Sequence, residues 1–248
     1  MRGIGRGFGC LVGSSSGAAS SVAQELCDFG LGSDTGGSVR IPSSYCGLYG
    51  IRPTHGRVDI VGARPLAPSF DTVGWMARDI GVLQAVGEVL LEGKSHETPI
   101  TRWMVGTDAF ALADPAVSKA IYAALSGQDS SRFQAVCEAI GGEPTEVTVA
   151  PPDGSVAGGD LATWWQHFRV LQASEVWACH GQWVEEVEPA FGPGIRERFQ
   201  MAKEITADEV VSAAAARDEI VKHLDTLLCG GVLMVPTAPG PGTAPTEP

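Results

Sequence analysis

Apolar positions recur along the chain with changing period, and each change marks an element. Ala19, Val22, Ala23 and Leu26 follow the i, i+3, i+4, i+7 spacing of one helical face. That predicts a helix from residue 17 to about residue 27, with Ser14, Ser15 and Ser16 available as caps. Residues 8–12 before it read as a short strand; residues 29–32 lead into a second loop, which residues 38–42 leave. Glycine and proline then punctuate the chain as far as Trp75, which predicts loop, with residues 65–71 irregular. Val82, Val86, Val89 and Leu90 restore the helical stripe behind Asp79, a capping residue.

Residues 101–106 read as a strand, followed by a helix opened by Asp114-Pro115 and carrying Val117, Ile121, Ala124 and Leu125. Phe133, Val136 and Ile140 belong to a further helix that stops at Gly141-Gly142, and residues 145–149 to a further strand. From residue 160 to 228 the pattern is helical, with breaks near Pro189 and Pro193, and residues 231–236 read as a buried strand. Strands alternating with helices predict an α/β fold. The Pro/Gly/Thr-rich tail beyond Ala238 predicts no packed structure.

Composition narrows the function classes. A net charge of −12 argues against a nucleic-acid or anionic-membrane surface, since both require basic patches. No window approaches the roughly 18 apolar residues of a membrane span. Cys10, Cys27, Cys46, Cys137, Cys179 and Cys229 are scattered without metal-ligand spacing, and read as reduced, mostly buried thiols of a cytoplasmic protein. No internal repeat and no linker divide the 248 residues.

The candidate chemistry lies in two Gly/Ser-rich loops. Gly13-Ser14-Ser15-Ser16-Gly17 satisfies G-x-S-x-G between a strand-like and a helical segment, the context of a nucleophile elbow at Ser15. His96, His167, His180 and His223 are then available as triad bases. A plain helix start and, less well, an anion cradle lacking the P-loop lysine fit the same residues. Asp34-Thr35-Gly36-Gly37-Ser38 can turn several backbone N–H groups into one concavity, as an oxyanion hole requires; a plain β-turn fits it also.

Taken together, GSSSG, LGSDTGGSVRIPSSYCGLYGIRPTHGRV and PLAPSFDTVGWMARD closely resemble the amidase signature family of serine hydrolases. The similarity continues more loosely through WMVGTDAFALADPAV, the helical residues 169–198 and LMVPTAPGP. The resemblance implies a mixed β-sheet core flanked by α-helices on both sides, and cleavage of amide bonds by a Ser–cis-Ser–Lys triad without metal or cofactor. By position, Ser38 matches the acyl-accepting nucleophile and Ser14, 24 residues upstream, the bridging serine beside a cis peptide bond. Thr35, Gly36, Gly37 and Ser38 match the oxyanion-hole donors. Asp34 and Arg40 resemble a charged pair bracing the nucleophile loop, and His55 a loop brace.

The family's lysine lies upstream of the bridging serine, whereas Lys94, Lys119, Lys203 and Lys222 all follow Ser38. The chain therefore reads as an internal piece of an amidase, without the N-terminal lysine segment and the C-terminal end. Residues 1–12 form an atypical lead, 13–238 a partial amidase domain and 239–248 a tail. The expected partner is a small-molecule amide, with no nucleic acid and no membrane, and with self-association through surface left uncovered. A non-catalytic amidase-like fragment, an esterase using Ser15, and a subunit of a tRNA-linked amidotransferase are the other readings.

Overall fold

The structure, a computed structural model, describes residues 13–92, 99–126, 130–192 and 194–241. The strand expected at 8–12 and the last residues of the tail lie outside these. The described residues fall into two compact units, one drawn from Met1–His96 with Gly240–Pro248, the other from Glu97–Pro239.

In the first unit, α1 (Ser16–Ala23) precedes β1 (Phe29–Ser33), α2 (Arg40–Tyr45), β2 (Tyr49–Ile51), β3 (Val73–Ala77) and α3 (Ile80–Leu90). The strands form an antiparallel sheet in the order β1-β3-β2, with Leu31 and Ile51 both opposite Trp75. Residues directly opposite share a face, so Gly30, Gly32, Gly50, Gly74 and Met76 line one side. A Cβ on Gly30 would meet Ala18 Cβ at 3.2 Å and Val22 Cγ2 at 3.3 Å, and one on Gly32 would meet Ser15 Cβ at 2.8 Å. This nearly side-chain-free face lets α1 and both serine loops pack at backbone distance. Ala19, Val22, Val39 and Met76 fill the space between as a buried cluster. Gly32→Ala is accordingly expected to cost about 1–3 kcal/mol by overpacking; an unchanged thermal midpoint would contradict this packing.

The predicted α1 ends early, at Ala23. Leu26 N–H returns to Ser21 O (2.9 Å) and Glu25 N–H to Val22 O (3.1 Å), with Glu25 at φ 63°. That is a Schellman closure, and the Arg78 guanidinium holds it by donating to Val22 O and Cys27 O. Leu26, counted on the apolar face, is therefore exposed. β2 and β3 occupy a passage predicted as loop: β3 is the central strand and nearly buried throughout, so it lacks the alternation that reveals a half-exposed strand. α3 begins as predicted, with Asp79 Oδ1 accepting from Gly81 and Val82 N–H (2.8 and 3.2 Å). Its buried contact is Gly87 against the Trp75 ring, while Val89 points to solvent.

The second unit contains β4 (Arg102–Gly106), α4 (Thr107–Ala111), α5 (Pro115–Ser126), α6 (Ser130–Ile140), β5 (Thr145–Val147), α7 (Leu161–Val187), α8 (Ile195–Glu204), α9 (Ala207–Leu228) and β6 (Gly231–Met234). Its sheet is parallel, ordered β5-β4-β6, around a core that includes Val149, Trp164 and Ala216. Asp114 caps α5 through Ala116 N–H (2.7 Å), as the Asp-Pro pair predicts. β6 is an edge strand of this sheet, paired with β4 alone among the described residues, and half-exposed rather than the buried strand expected. α8 and α9 are separated at Thr206, whose capping box with Glu209 opens α9; the periodicity had passed over this break. The five described cysteines form no disulfide with one another, and Cys27 and Cys229 are exposed rather than buried. The fold is α/β as expected, with both strand orientations present.

Candidate active site

Both serine loops belong to the first unit. The first runs into the N-terminus of α1; the second connects β1 to α2. Ser15 N–H donates to Ser38 O at 3.3 Å, which joins them directly. Gly13, at φ 120°, lies on the same surface: a Cβ there would stand 2.8 Å from Pro42 Cδ and 3.6 Å from Ser38 O. Only glycine satisfies both the positive φ and that approach. Ser14 is thus held between two residues that each touch the Ser38 loop. Among the described residues no hydrogen bond joins the Ser14 and Ser38 hydroxyls.

The Ser38 loop is built around a fully buried carboxylate. Asp34 Oδ1 accepts from Gly37 N–H (2.8 Å) and Arg40 Nη2 (2.9 Å). Its Oδ2 accepts from Val39 N–H (3.1 Å), Arg40 N–H (3.2 Å) and Arg40 Nε (3.0 Å). Burial alone would raise the Asp34 pKa, but the Arg40 charge and hydrogen bonds, with the N–H groups of Gly37 and Arg40, outweigh it. The carboxyl is held well below the usual carboxylate range. Asp34 forms ion pairs with Arg40 at 2.9 Å and with Arg52 at 3.4 Å.

Three residues outside the sequence-derived set complete the frame. Arg52 Nη1 donates to Asp34 O (2.6 Å) and Thr35 O (3.3 Å), and its Nη2 to Phe70 O (2.8 Å). Asp71 accepts the Thr35 hydroxyl at 2.6 Å, while its other oxygen takes Leu66 and Ala67 N–H. Thr72 O accepts Asp34 N–H at 2.8 Å. The segments GIRPT and PSFDT were legible as part of the resembling stretch, but nothing local in them indicates a reach of 18 or 36 residues. His55 Nε2 lies 2.9 Å from Pro68 O, the loop contact expected of it.

Three expectations are corrected. Gly37 is not an available oxyanion donor, because its N–H is committed to Asp34; the N–H groups of Thr35, Gly36 and Ser38 donate to no acceptor among the described residues. The peptide bonds of the described residues are all trans, including those flanking Ser14. Ser15 is no nucleophile elbow either. It caps α1 by position at φ −88°, an ordinary turn conformation, and its half-buried side chain lies against Gly32. Of its proposed partners, His96 lies outside the described residues, and His167 and His223 contact the carbonyls of Ala157 and Val149 in the second unit. Lys119, Lys203 and Lys222 also belong to that unit, with Lys203 paired to Glu185 at 2.7 Å. Among the described residues, no three His, Cys, Asp or Glu side chains come together as a metal site.

A serine on a glycine-rich loop beside unengaged backbone N–H groups is an arrangement that nucleophilic catalysis can use. Residues 11–123 match the family model described as Amidase. It is 39% identical over 247 residues to "Amidase 1" of Arabidopsis thaliana, covering 92% of this chain and 57% of that protein. It is 30% identical over 241 residues to "Translocon at the outer membrane of chloroplasts 64" of Pisum sativum, covering 92% and 40%. A solved structure described as "Crystal structure of amidase" matches with a TM-score of 0.75 at 27% identity, covering 94% of this chain and 50% of that one. The chain thus spans about half the length of the curated relatives it matches.

Proposed function

We propose that this chain carries the serine-bearing part of an amidase site, which hydrolyses the C–N bond of a small carboxylic amide through an acyl-enzyme on Ser38. The observation that supports this most directly is the joining of the two loops at Ser15 N–H and Ser38 O, with the second loop fixed by buried Asp34. Ser38 Oγ attacks the amide carbonyl carbon, and its proton passes through the Ser14 hydroxyl to a base. The oxyanion receives N–H groups of the Thr35–Ser38 loop. The proton then returns to the leaving nitrogen, the C–N bond breaks, and water releases the acid from Ser38. These steps use neither metal nor cofactor.

The base assigned to this relay is a lysine from outside this sequence, since none of its four lysines precedes Ser14. The lack of a hydrogen bond between the Ser14 and Ser38 hydroxyls among the described residues favours a second reading, a non-catalytic amidase-like chain. Hydrolysis of a simple aryl amide, run beside fluorophosphonate labelling of the wild type and Ser38→Ala, distinguishes the two. Neither labelling nor turnover in any form of the protein would leave only the second reading.

Self-association and location belong to the same proposal. Phe29, Leu31 and Tyr49 share the sheet face opposite the glycines and are 43%, 50% and 52% exposed. The chain is expected to self-associate through this face, and a monomer in size-exclusion chromatography at micromolar concentration would contradict it. No helix among the described residues is long and apolar enough to cross a membrane. We assign the protein to the cytoplasm, to be checked by imaging a tagged form; the similarity to a protein named for the chloroplast outer membrane makes the envelope the alternative result.

A further inference from the structure

Arg52 follows β2 and reaches across to the Ser38 loop. One nitrogen, Nη1, takes the carbonyl oxygens of Asp34 and Thr35, at 2.6 and 3.3 Å, and Nη2 is anchored on Phe70 O at 2.8 Å. In a trans peptide the C=O and N–H of one plane point in opposite directions. The plane that bears Asp34 O carries Thr35 N–H, and the plane that bears Thr35 O carries Gly36 N–H. Drawing both carbonyls onto one guanidinium therefore turns both N–H groups to the other side of the loop. There they meet no acceptor among the described residues, while the next N–H, of Gly37, is taken by Asp34.

We propose that Arg52 is a positioning residue that aims the N–H groups of Thr35 and Gly36 as the oxyanion donors for Ser38, and that Gly37 contributes none. The assignment rests on the acyl-enzyme reading above and adds to it the residue that orients the donors. The division of labour is chemical. Asp34 can collect N–H groups but cannot hold carbonyls, and a planar guanidinium can hold several carbonyls at once in a fixed fork. A lysine ammonium is a single point donor group and could not span Phe70 O and the two loop carbonyls with the same rigidity. Donors oriented before reaction stabilise the oxyanion without reorganisation as charge develops.

The test uses the full chain labelled with ¹⁵N and phenylboronic acid as probe. Ser38 Oγ bonds to boron and loses its proton to buffer, so trigonal boron becomes a tetrahedral boronate anion and places one of its hydroxyl oxygens where the oxyanion would form. The expected result is a tetrahedral ¹¹B signal, absent in Ser38→Ala, with the amide protons of Thr35 and Gly36 moved downfield and that of Gly37 unmoved. Arg52→Lys is expected to weaken phenylboronic acid binding about ten- to hundredfold, as donor misplacement does. Binding of benzamide, a ground-state mimic, should be unchanged. A loss of both ligands in equal measure, or of neither, overturns the assignment, as does a downfield shift at Gly37 in place of Thr35 and Gly36. The wild-type spectra decide the matter even if Arg52→Lys does not fold. Boron that stays trigonal, or an adduct that persists in Ser38→Ala, marks failure of the acyl-enzyme reading itself, and the role of Arg52 falls with it. An adduct at Ser38 with Gly37 shifted rejects the role of Arg52 alone.

Discussion

Turnover of a simple aryl amide is expected to rise by roughly 10⁴-fold or more when this sequence is expressed behind an upstream amidase segment that carries a lysine. Loss of one member of a nucleophile–base unit typically costs that order of rate, and oriented N–H donors alone preserve only a residue of it. The 248 residues supply both serines and the donors, but no lysine before Ser14. In the extended form, Ser38→Ala should abolish acyl-enzyme formation, read by fluorophosphonate labelling and by the absence of a burst. Ser14→Ala should slow acylation and deacylation together and leave substrate binding unchanged, because it interrupts proton transfer without altering the attacking oxygen. Robust turnover by the 248-residue chain alone would require another base, and His55→Ala would then be the first variant to measure.

Asp34→Asn should destabilise the first unit by about 3–5 kcal/mol, the cost of removing one partner of a buried charge pair. Asp34 is fully buried and faces donors on every side, from the Gly37, Val39 and Arg40 N–H groups to the guanidinium of Arg40. An asparagine of the same shape would present N–H to N–H at one of its two terminal atoms and leave Arg40 uncompensated. Urea unfolding checks the size of the effect. A loss below about 1 kcal/mol would mean that the loop is held by other contacts. Arg40→Ala is expected to cost less, since that side chain is 45% exposed.

The same pair predicts a pH dependence of definite sign. The Asp34 carboxyl is depressed in the folded state, so its contribution is complete above the unfolded carboxylate value, near pH 4. It shrinks as pH falls below that value toward the folded pKa, because the unfolded chain binds the proton first. Asp34→Asn should therefore flatten the acid limb of the stability curve and leave the slope above neutral pH unaltered.

Where a signal is carried by neighbours in sequence, the sequence by itself determined the outcome. Asp79 and Asp114 cap the helices they precede, and Gly141-Gly142 stops α6. The Thr206–Glu209 box was equally legible, as T-x-x-E, but was masked by the apolar periodicity running through it. β3 was not legible, because a strand covered on both faces has no alternation to show.

Which way each peptide of the Ser38 loop faces was decided only by the tertiary structure. DTGGS offers four consecutive N–H groups beyond Asp34, equivalent on paper. Asp34 takes one of them through its side chain, and Arg52, 18 residues on, sets the planes of two others by their carbonyls. A peptide plane rotates freely in a glycine-rich loop until a partner fixes it, and here the deciding partner is brought in by the pairing of β2 with β3. The glycine face of the sheet acts in the same way. Gly30, Gly32 and Gly74 read in sequence as breaks, yet in register they form the one surface flat enough for α1 to carry Ser14 and Ser15 onto the Ser38 loop.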